Sequence, residues 1–342
     1  MKRARPAVAV LSAIIAVTGL SGCAIGDQTA SASGGSGTVL RYQGAANSVG
    51  LPELAEALGY LGDVKLKWVG NTISGPQDIQ SAATNQTDFG GAFTGAVVKL
   101  IEAGAPVKAV INYYGSDAKS FIGFYAKQDA SIHSARDLIG KKIAVNTLGA
   151  HDEAVIDTYL QNNGLTADDV KKVQLVVLPP NNTEEAIRKG QVDAGALSGV
   201  LQDHAVAAGG LRSIFDDYDI FGPFDGGQYV LRDSFLKQHP DVARGFVTGV
   251  AKAIEWERAT PRAQVIAEFI KIIDSRGRNE STANLKYWKS VGIPAKGGVV
   301  SDNDFTQWAP WLKTTGVVTG TLVPSKYYTN EFNGLASDGT SR

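Results

Sequence analysis

Cysteine is nearly absent from this chain: its 342 residues contain one, Cys23. A single thiol excludes an internal disulfide, so the fold must be held by its apolar core. Histidine is also scarce. His133, His151, His204 and His239 include no His-Glu-x-x-His run and have no cysteine pair beside them, so no zinc site is recognisable and no metal or cofactor is expected. Glycine is plentiful, yet no Gly-x-x-x-x-Gly-Lys-Ser/Thr loop occurs, so any nucleotide hydrolysis must belong to a partner. Gly195-Ala196-Leu197-Ser198-Gly199 puts its serine one place late for a nucleophile elbow. With no assembled catalytic set, the chain does not read as an enzyme. Excess charge of one sign is missing as well: 33 basic and 34 acidic residues leave a net charge of −1. No basic stripe interrupts that balance, which argues against nucleic acid as a partner.

What is present begins at the N-terminus. Lys2, Arg3 and Arg5 precede an apolar run from Ala7 to Leu20, too short for the ~20 residues of a spanning helix. Leu20-Ser21-Gly22-Cys23 then resembles the lipobox of bacterial lipoproteins. That resemblance implies a signal peptide over residues 1–22 and a lipid thioether on Cys23, holding the protein to the extracytoplasmic face of a membrane. Two acyl chains, at ~0.8 kcal/mol per buried methylene, anchor stably where one does not. An ordinary secretory signal with an incidental cysteine is the alternative. Residues 23–37, rich in Ser, Gly, Ala and Thr, read as a flexible linker.

From Thr38 short β-like runs alternate with helical stretches, the signature of an α/β fold with mostly parallel sheets flanked by helices. Strands are expected at Val39–Gln43, Val64–Val69, Phe89–Gly91, Val107–Tyr113 and Phe121–Tyr125, and again at Lys142–Val145, Val173–Leu178 and Asp193–Leu197. A return strand follows at Gln228–Arg232. Helices are then expected over 241–259, 262–275, 281–290 and 302–315, with breaks at Pro261 and Pro294. This order suits a two-lobed architecture: lobe I from 38–125 and 226–333, lobe II from 126–225, and a loose tail from 334–342. A cleft between two such lobes is a natural ligand site.

Several stretches carry a family resemblance. They are Thr87-Asp88-Phe89-Gly90-Gly91-Ala92, Glu102-Ala103-Gly104-Ala105-Pro106-Val107-Lys108, Asp137-Leu138-Ile139-Gly140-Lys141-Lys142-Ile143-Ala144-Val145, Gly149-Ala150-His151 and Gly190-Gln191-Val192-Asp193-Ala194. In this order and spacing they resemble the substrate-binding proteins of bacterial ABC importers, in the group serving aliphatic sulfonates, taurine and nitrate, with a type II periplasmic binding protein fold. The resemblance covers roughly Thr38 to Phe332. It implies a monomer that captures a small molecule and delivers it to a permease with its ATPase subunit. Where members often carry a Trp-rich stretch, this chain has Gly195 to Gly199.

In open α/β sheets ligands lie at the carboxyl ends of the strands. The loops there supply Gln43, Asn47, Asn71, Thr72, Phe93, Thr94, Tyr113, Thr147, Gly149, Ala150, His151 and Ser198, with Gln228 in the return strand. None of these loops contains Lys or Arg. Free amides at helix N-termini suit an anion, with Thr147 to His151 leading directly into a helix and Thr94 as an N-cap. The same residues serve neutral hydrogen bonding, or act simply as caps, turn residues and core aromatics. Carboxylates more often recruit Arg, so a sulfonate or a neutral ligand is favoured. A thiamine-pyrimidine, riboflavin or aromatic-acid ligand on the same fold remains open, as does a lipoprotein enzyme or sensor.

Overall fold

The computed structural model describes residues 38–72 and 74–336. The signal peptide, Cys23 and the linker therefore lie outside the described residues. Ten strands appear within them: β1 Val39–Gly44, β2 Lys65–Asn71, β3 Phe89–Phe93, β4 Val107–Ser116, β5 Ile122–Lys127, β6 Lys142–Val145, β7 Gln174–Val177, β8 Ala194–Ser198, β9 Leu211–Asp216 and β10 Phe224–Arg232. They form an edge pair β1-β2, a central sheet β3-β10-β4 and a five-stranded sheet β7-β6-β8-β5-β9.

The α/β class and the helix-flanked sheets are as expected, but the sheets are mixed rather than mostly parallel. The β1–β2, β6–β7 and β6–β8 pairs are parallel. β10 runs against β3 and β4, and β5 against β8 and β9. β5 and β10 are the strands that carry the chain between the sheets, and each enters its sheet reversed. β5 already belongs to the five-stranded sheet, so the first crossing falls at residues 117–121, ahead of Tyr125.

β1 is tied to β3 at its middle. The Asp88 amide donates to the Arg41 carbonyl at 2.9 Å, and the Arg41 amide donates to Asp88 Oδ2 at 2.7 Å. Arg41 and Arg232 also pair with the Asp88 carboxylate, which they hold below the usual carboxylate range against the opposing effect of burial. Further along, the Gly91 amide donates instead to Asp78 Oδ2, from the helix Gly75–Ala83. That helix starts with Pro76 in its first turn, a position where the missing N–H costs nothing. It packs directly on β3, where a Cβ on Gly90 would meet the Asp78 carbonyl at 2.4 Å.

One apolar core joins the central and five-stranded sheets through Val97, Phe124, Ile143, Val155 and Trp308. A second gathers Leu54, Phe246, Val250 and Ile254 around the long helix Pro240–Ala259, on the opposite face of the central sheet.

Three expectations for the C-terminal region need correction. The segment 281–290 is no helix and holds only a short turn, Leu285–Tyr287. Its backbone is held from outside: Arg262 donates to the carbonyls of Trp288 and Lys286, and Asn47 Oδ1 accepts from the Ser281 amide. The helix expected over 302–315 is two pieces, Asp302–Thr306 and Ala309–Thr314. Pro310 cannot continue a helix begun at Asp302, because it lacks the donor and its ring crowds the carbonyl four residues back. Leu335, expected in the loose tail, packs against Gly297. The helix Gly75–Ala83 and β9 add to the expected set.

Candidate functional site

β1 and β3 diverge at their carboxyl ends, and chemistry gathers in the crevice this opens. Tyr113 of β4 stacks on Tyr229 of β10, ring centroids 4.3 Å apart and planes 26° from parallel. Gly91 lies against both: a Cβ there would come within 2.8 Å of Tyr113 Cζ and 2.9 Å of Tyr229 Cε1. Gly50 precedes the helix Leu51–Ala57 and approaches the Tyr229 hydroxyl, which a Cβ would meet at 3.8 Å. Tyr113 stays partly accessible, so the crevice is not sealed.

Three carboxyls surround the tyrosines. Glu53 is fully engaged: it accepts from the Gly50 amide at 2.8 Å, from the Tyr42 hydroxyl at 2.5 Å and from Arg276 at 2.5 Å. Asp78 is only 6% exposed, accepts from Gly91 through Oδ2 at 2.7 Å, and leaves Oδ1 without a partner. Burial pushes its carboxyl up to about 7. Glu257, 7% exposed, has no hydrogen-bond or ion-pair partner among the described residues, and burial pushes it up to about 8. The Tyr229 phenol is raised well above its ordinary value, first by burial and then by Tyr113, Asp78, Glu53 and Glu257. All three carboxyls thus lie within electrostatic reach of one hydroxyl.

The sequence-predicted residues fall in several places. Tyr113 is in the crevice. Asn47, at φ 61°, ties the loop after β1 to the segment beyond Arg276: its amide donates to Glu280 at 2.7 Å. Gln43, Asn71 and Thr72 line a separate open cavity of about 500 Å³ with Pro76, Gln77, Gln80 and Ser81. Gly149 lies at another cavity of about 620 Å³, beside Leu148, Lys99 and Trp311, with Thr147 two residues before it. Ser198 is exposed at the end of β8 and makes no side-chain cap.

The remaining five are buried. Thr94 is not an N-cap; it is the first residue of the helix Thr94–Glu102. Its hydroxyl donates to the Gly226 carbonyl at 3.2 Å and accepts from Gln228 Nε2 at 2.9 Å, while Gln228 also donates to Asn112. His151, with Ala150 before it, stacks on Phe93 at 5.2 Å and 4°, with Trp308 and Phe224 edge-on. Its Nδ1 is 3.3 Å from the Tyr114 hydroxyl, and its Nε2 is 3.4 Å from Asp217 Oδ2. Burial drives His151 down to about 3 and Asp217 up to about 7, so both favour their neutral forms and the contact is not an ion pair. The oxyanion role expected at Thr147 to His151 also meets competition. The chain's own acids cap that turn: Asp152 accepts from the Asn146 amide at 3.0 Å and Glu153 from the Gly149 amide at 2.7 Å.

Sequence reasoning missed Asp78, Glu257 and Tyr229. A weak signal existed in Gly90-Gly91, since paired glycines inside a strand mark a close approach. Among the described residues no three His, Cys, Asp or Glu side chains group as metal ligands, and no helix is long and apolar enough to cross a membrane.

The NMT1/THI5 like family model matches residues 54–264, more than half of the chain, and the protein belongs to that family. Curated protein sequences give no match. Among solved structures, the chain is similar to the periplasmic aliphatic sulphonate binding protein SsuA from Escherichia coli, at 19% identity, with a TM-score of 0.64 and cover of 85% of this chain and 92% of that one. The alkanesulfonate-binding protein SsuA from Xanthomonas axonopodis pv. citri, bound to MOPS, is similar at 20% identity, TM-score 0.65 and cover of 85% and 98%. The desulfurization enzyme DSZB matches at 14% identity, TM-score 0.56 and cover of 86% and 97%. At these identities the likeness speaks for the fold, which is that of periplasmic binding proteins.

Proposed function

We propose that the protein is an extracytoplasmic solute-binding lipoprotein that captures a small ligand and delivers it to the permease of an ABC importer. The observation that carries this reading is the crevice between β1 and β3, partly open at Tyr113 and bordered by the unpartnered Asp78 Oδ1. Ligands of open α/β sheets lie at such a switch point. The two SsuA neighbours are named as binding proteins for sulfonates, which supports a transport role and keeps a sulfonate among the candidates.

Capture is proposed to work by closure of two lobes, one built on the β1-β2 pair and the central sheet and the other on the five-stranded sheet, so that the first boundary falls at residues 117–121 and not at 125. The segment around Tyr287 and Lys289 fits that role. Lys289 pairs with Asp203, and Tyr287 lies 5.7 Å from His204 ring to ring, so the segment bridges to the helix Gly199–Ala208. Closure follows from tighter binding to the closed form and needs no other driver.

We read the protein as a binder, although DSZB shares the fold. Ser116 donates to Asp217 at 2.9 Å and Asp217 faces His151, but all three are buried beyond reach of a substrate. The protein is proposed to act as a monomer held to the membrane through lipid on Cys23. A thermal-shift panel on the full chain, with small-angle scattering on any hit, tests the binding role. A ligand at 100 times its Kd adds ~2.7 kcal/mol, and the bound form should be more compact. A hit without compaction would overturn the closing mechanism. Replacing Cys23→Ser should move the protein from the membrane to the soluble fraction with binding intact; retention on the membrane would remove the anchor.

A further inference from the structure

We propose that the cavity of about 620 Å³ among the helices Thr94–Glu102, His151–Asn162 and Ala309–Thr314 is a second binding site. Its ligand is a zwitterion with closely spaced charges and an apolar body, the chemistry of an apolar α-amino acid. The inference goes beyond the solute-binding reading and does not depend on it.

Two opposite charges border this cavity without meeting. Lys99 Nζ lies 3.5 Å from where a Cβ on Gly149 would sit, and Glu153 Oε2 accepts from the amide of the same Gly149 at 2.7 Å. They form no ion pair with each other, and neither the Lys99 ammonium nor Glu153 Oε1 has a hydrogen-bond or ion-pair partner among the described residues. The other polar groups of the lining are engaged. Glu102 accepts from Lys326 and from the Tyr327 hydroxyl. The Trp311 N–H donates to Asp157 at 3.0 Å, and the Thr315 hydroxyl turns back onto the Trp311 carbonyl. One ammonium and one carboxylate oxygen are left facing the space, on either side of a single glycine.

That pair selects the ligand's charge. A bare anion would meet Lys99 but face Glu153, and a bare cation would meet Glu153 but face Lys99. A ligand carrying both charges makes a charge-assisted hydrogen bond at each end. Because both protein charges border Gly149, the ligand's own charges must be close together, as they are across one α-carbon. The walls select its body. Leu148, 54% exposed, lies beside Val317 and the Trp311 ring, so an apolar side chain has a surface to cover. The volume falls within the ~300–1,000 Å³ of small-molecule sites, whose linings are apolar with a few placed polar groups. Lys99 belongs to the helix after β3 of the central sheet and Glu153 to the helix after β6 of the five-stranded sheet, so an occupant would tie one sheet to the other.

The test is calorimetric titration of the detergent-solubilised full chain with three matched probes. They are L-phenylalanine, 3-phenylpropanoate, which lacks the ammonium, and 2-phenylethylamine, which lacks the carboxylate. L-Phenylalanine should bind, and each single-charge analogue should bind at least about tenfold more weakly. Glu153→Gln keeps an acceptor for the Gly149 amide and should weaken L-phenylalanine at least about tenfold. Lys99→Met keeps the apolar stem and should do the same; Lys99 is exposed, so this variant covers the case in which the first fails to fold. Analogues that bind as well as L-phenylalanine would overturn the inference. So would L-phenylalanine binding that neither variant weakens, or no binding of L-phenylalanine at all. These probes are kept out of the thermal-shift panel, so their failure leaves solute binding standing, and an empty panel removes solute binding without touching this site.

Discussion

The crevice at Tyr113 and Tyr229 and the buried cluster at His151 are built from the same kinds of side chain, yet they differ in exposure: Tyr113 is partly accessible and His151 is buried. Around His151 the aromatic rings of Phe93, Trp308 and Phe224 pack on the buried imidazole; its Nε2 and Asp217 Oδ2 have no hydrogen-bond partner, and burial favours the uncharged form of both groups. Around Tyr229, Asp78 Oδ1 likewise has no partner, but it lies beside a partly open ring, Tyr113. The first arrangement holds two sheets together. Both carry the cost of an unpartnered buried atom, but only the second lies beside an accessible ring, and that combination is a better pointer to function than the number of polar residues in a loop.

Substitutions should separate the two regions. The largest effect is expected at Trp308, which is 1% exposed at the centre of the shared core. Trp308→Ala should cost about 3–5 kcal/mol by urea denaturation, with ligand affinity of the surviving folded protein little changed. A large loss of affinity at preserved fold would merge the two regions into one site.

Next comes Glu257→Gln. A carboxyl raised from 4.5 to about 8 by burial binds its proton more tightly in the folded chain. The wild type therefore loses stability as pH rises from about 4.5 towards 8, at up to about 1.4 kcal/mol per unit. The Gln variant lacks this loss, which amounts to at most about 5 kcal/mol over the interval, and should be measurably more stable than wild type at pH 8.5, with little difference at pH 4.5. His151 has the opposite sign. Lowered to about 3, it costs stability as pH falls below 6.5, so the acid limb of the profile should persist in the Glu257 variant. A variant no more stable at pH 8.5 would mean that Glu257 has a donor after all.

The smallest effect is expected at the bridge. Lys289 is half exposed, so Lys289→Ala should cost less than about 1 kcal/mol of stability. It should instead loosen compaction on binding, read by small-angle scattering. An unaltered scattering curve would take the segment 281–290 out of the closing mechanism.

The alternation of strands and helices was legible because each element announces itself locally, through short β-branched runs and glycine stops such as Gly164 and Gly209-Gly210. The reversed strands were not. Nothing within Ile122–Lys127 or Phe224–Arg232 says which neighbour they meet, since direction is set by where the chain crosses. The segment 281–290 misled for a related reason: its carbonyls are taken by Arg262, 24 and 26 residues away in sequence. The site was legible in part. Tyr113 was found because aromatic residues at a strand end are conspicuous. Asp78 and Glu257 were not, because an acid on an amphipathic helix reads as a solvated face until packing buries it. The reverse error explains His151, Thr94 and Gln228, polar residues whose hydrogen-bond partners are internal, with His151 Nε2 and Gln228 Oε1 left without one.

Hydrogen exchange on the full chain, with and without the panel compound that raises Tm most, compares the two regions in one measurement. Protection should appear at Gly44–Gly50 and Gly90–Ala92, bordering the crevice, and not at Thr147–His151. Protection confined to Thr147–His151 would contradict the crevice as the place of capture.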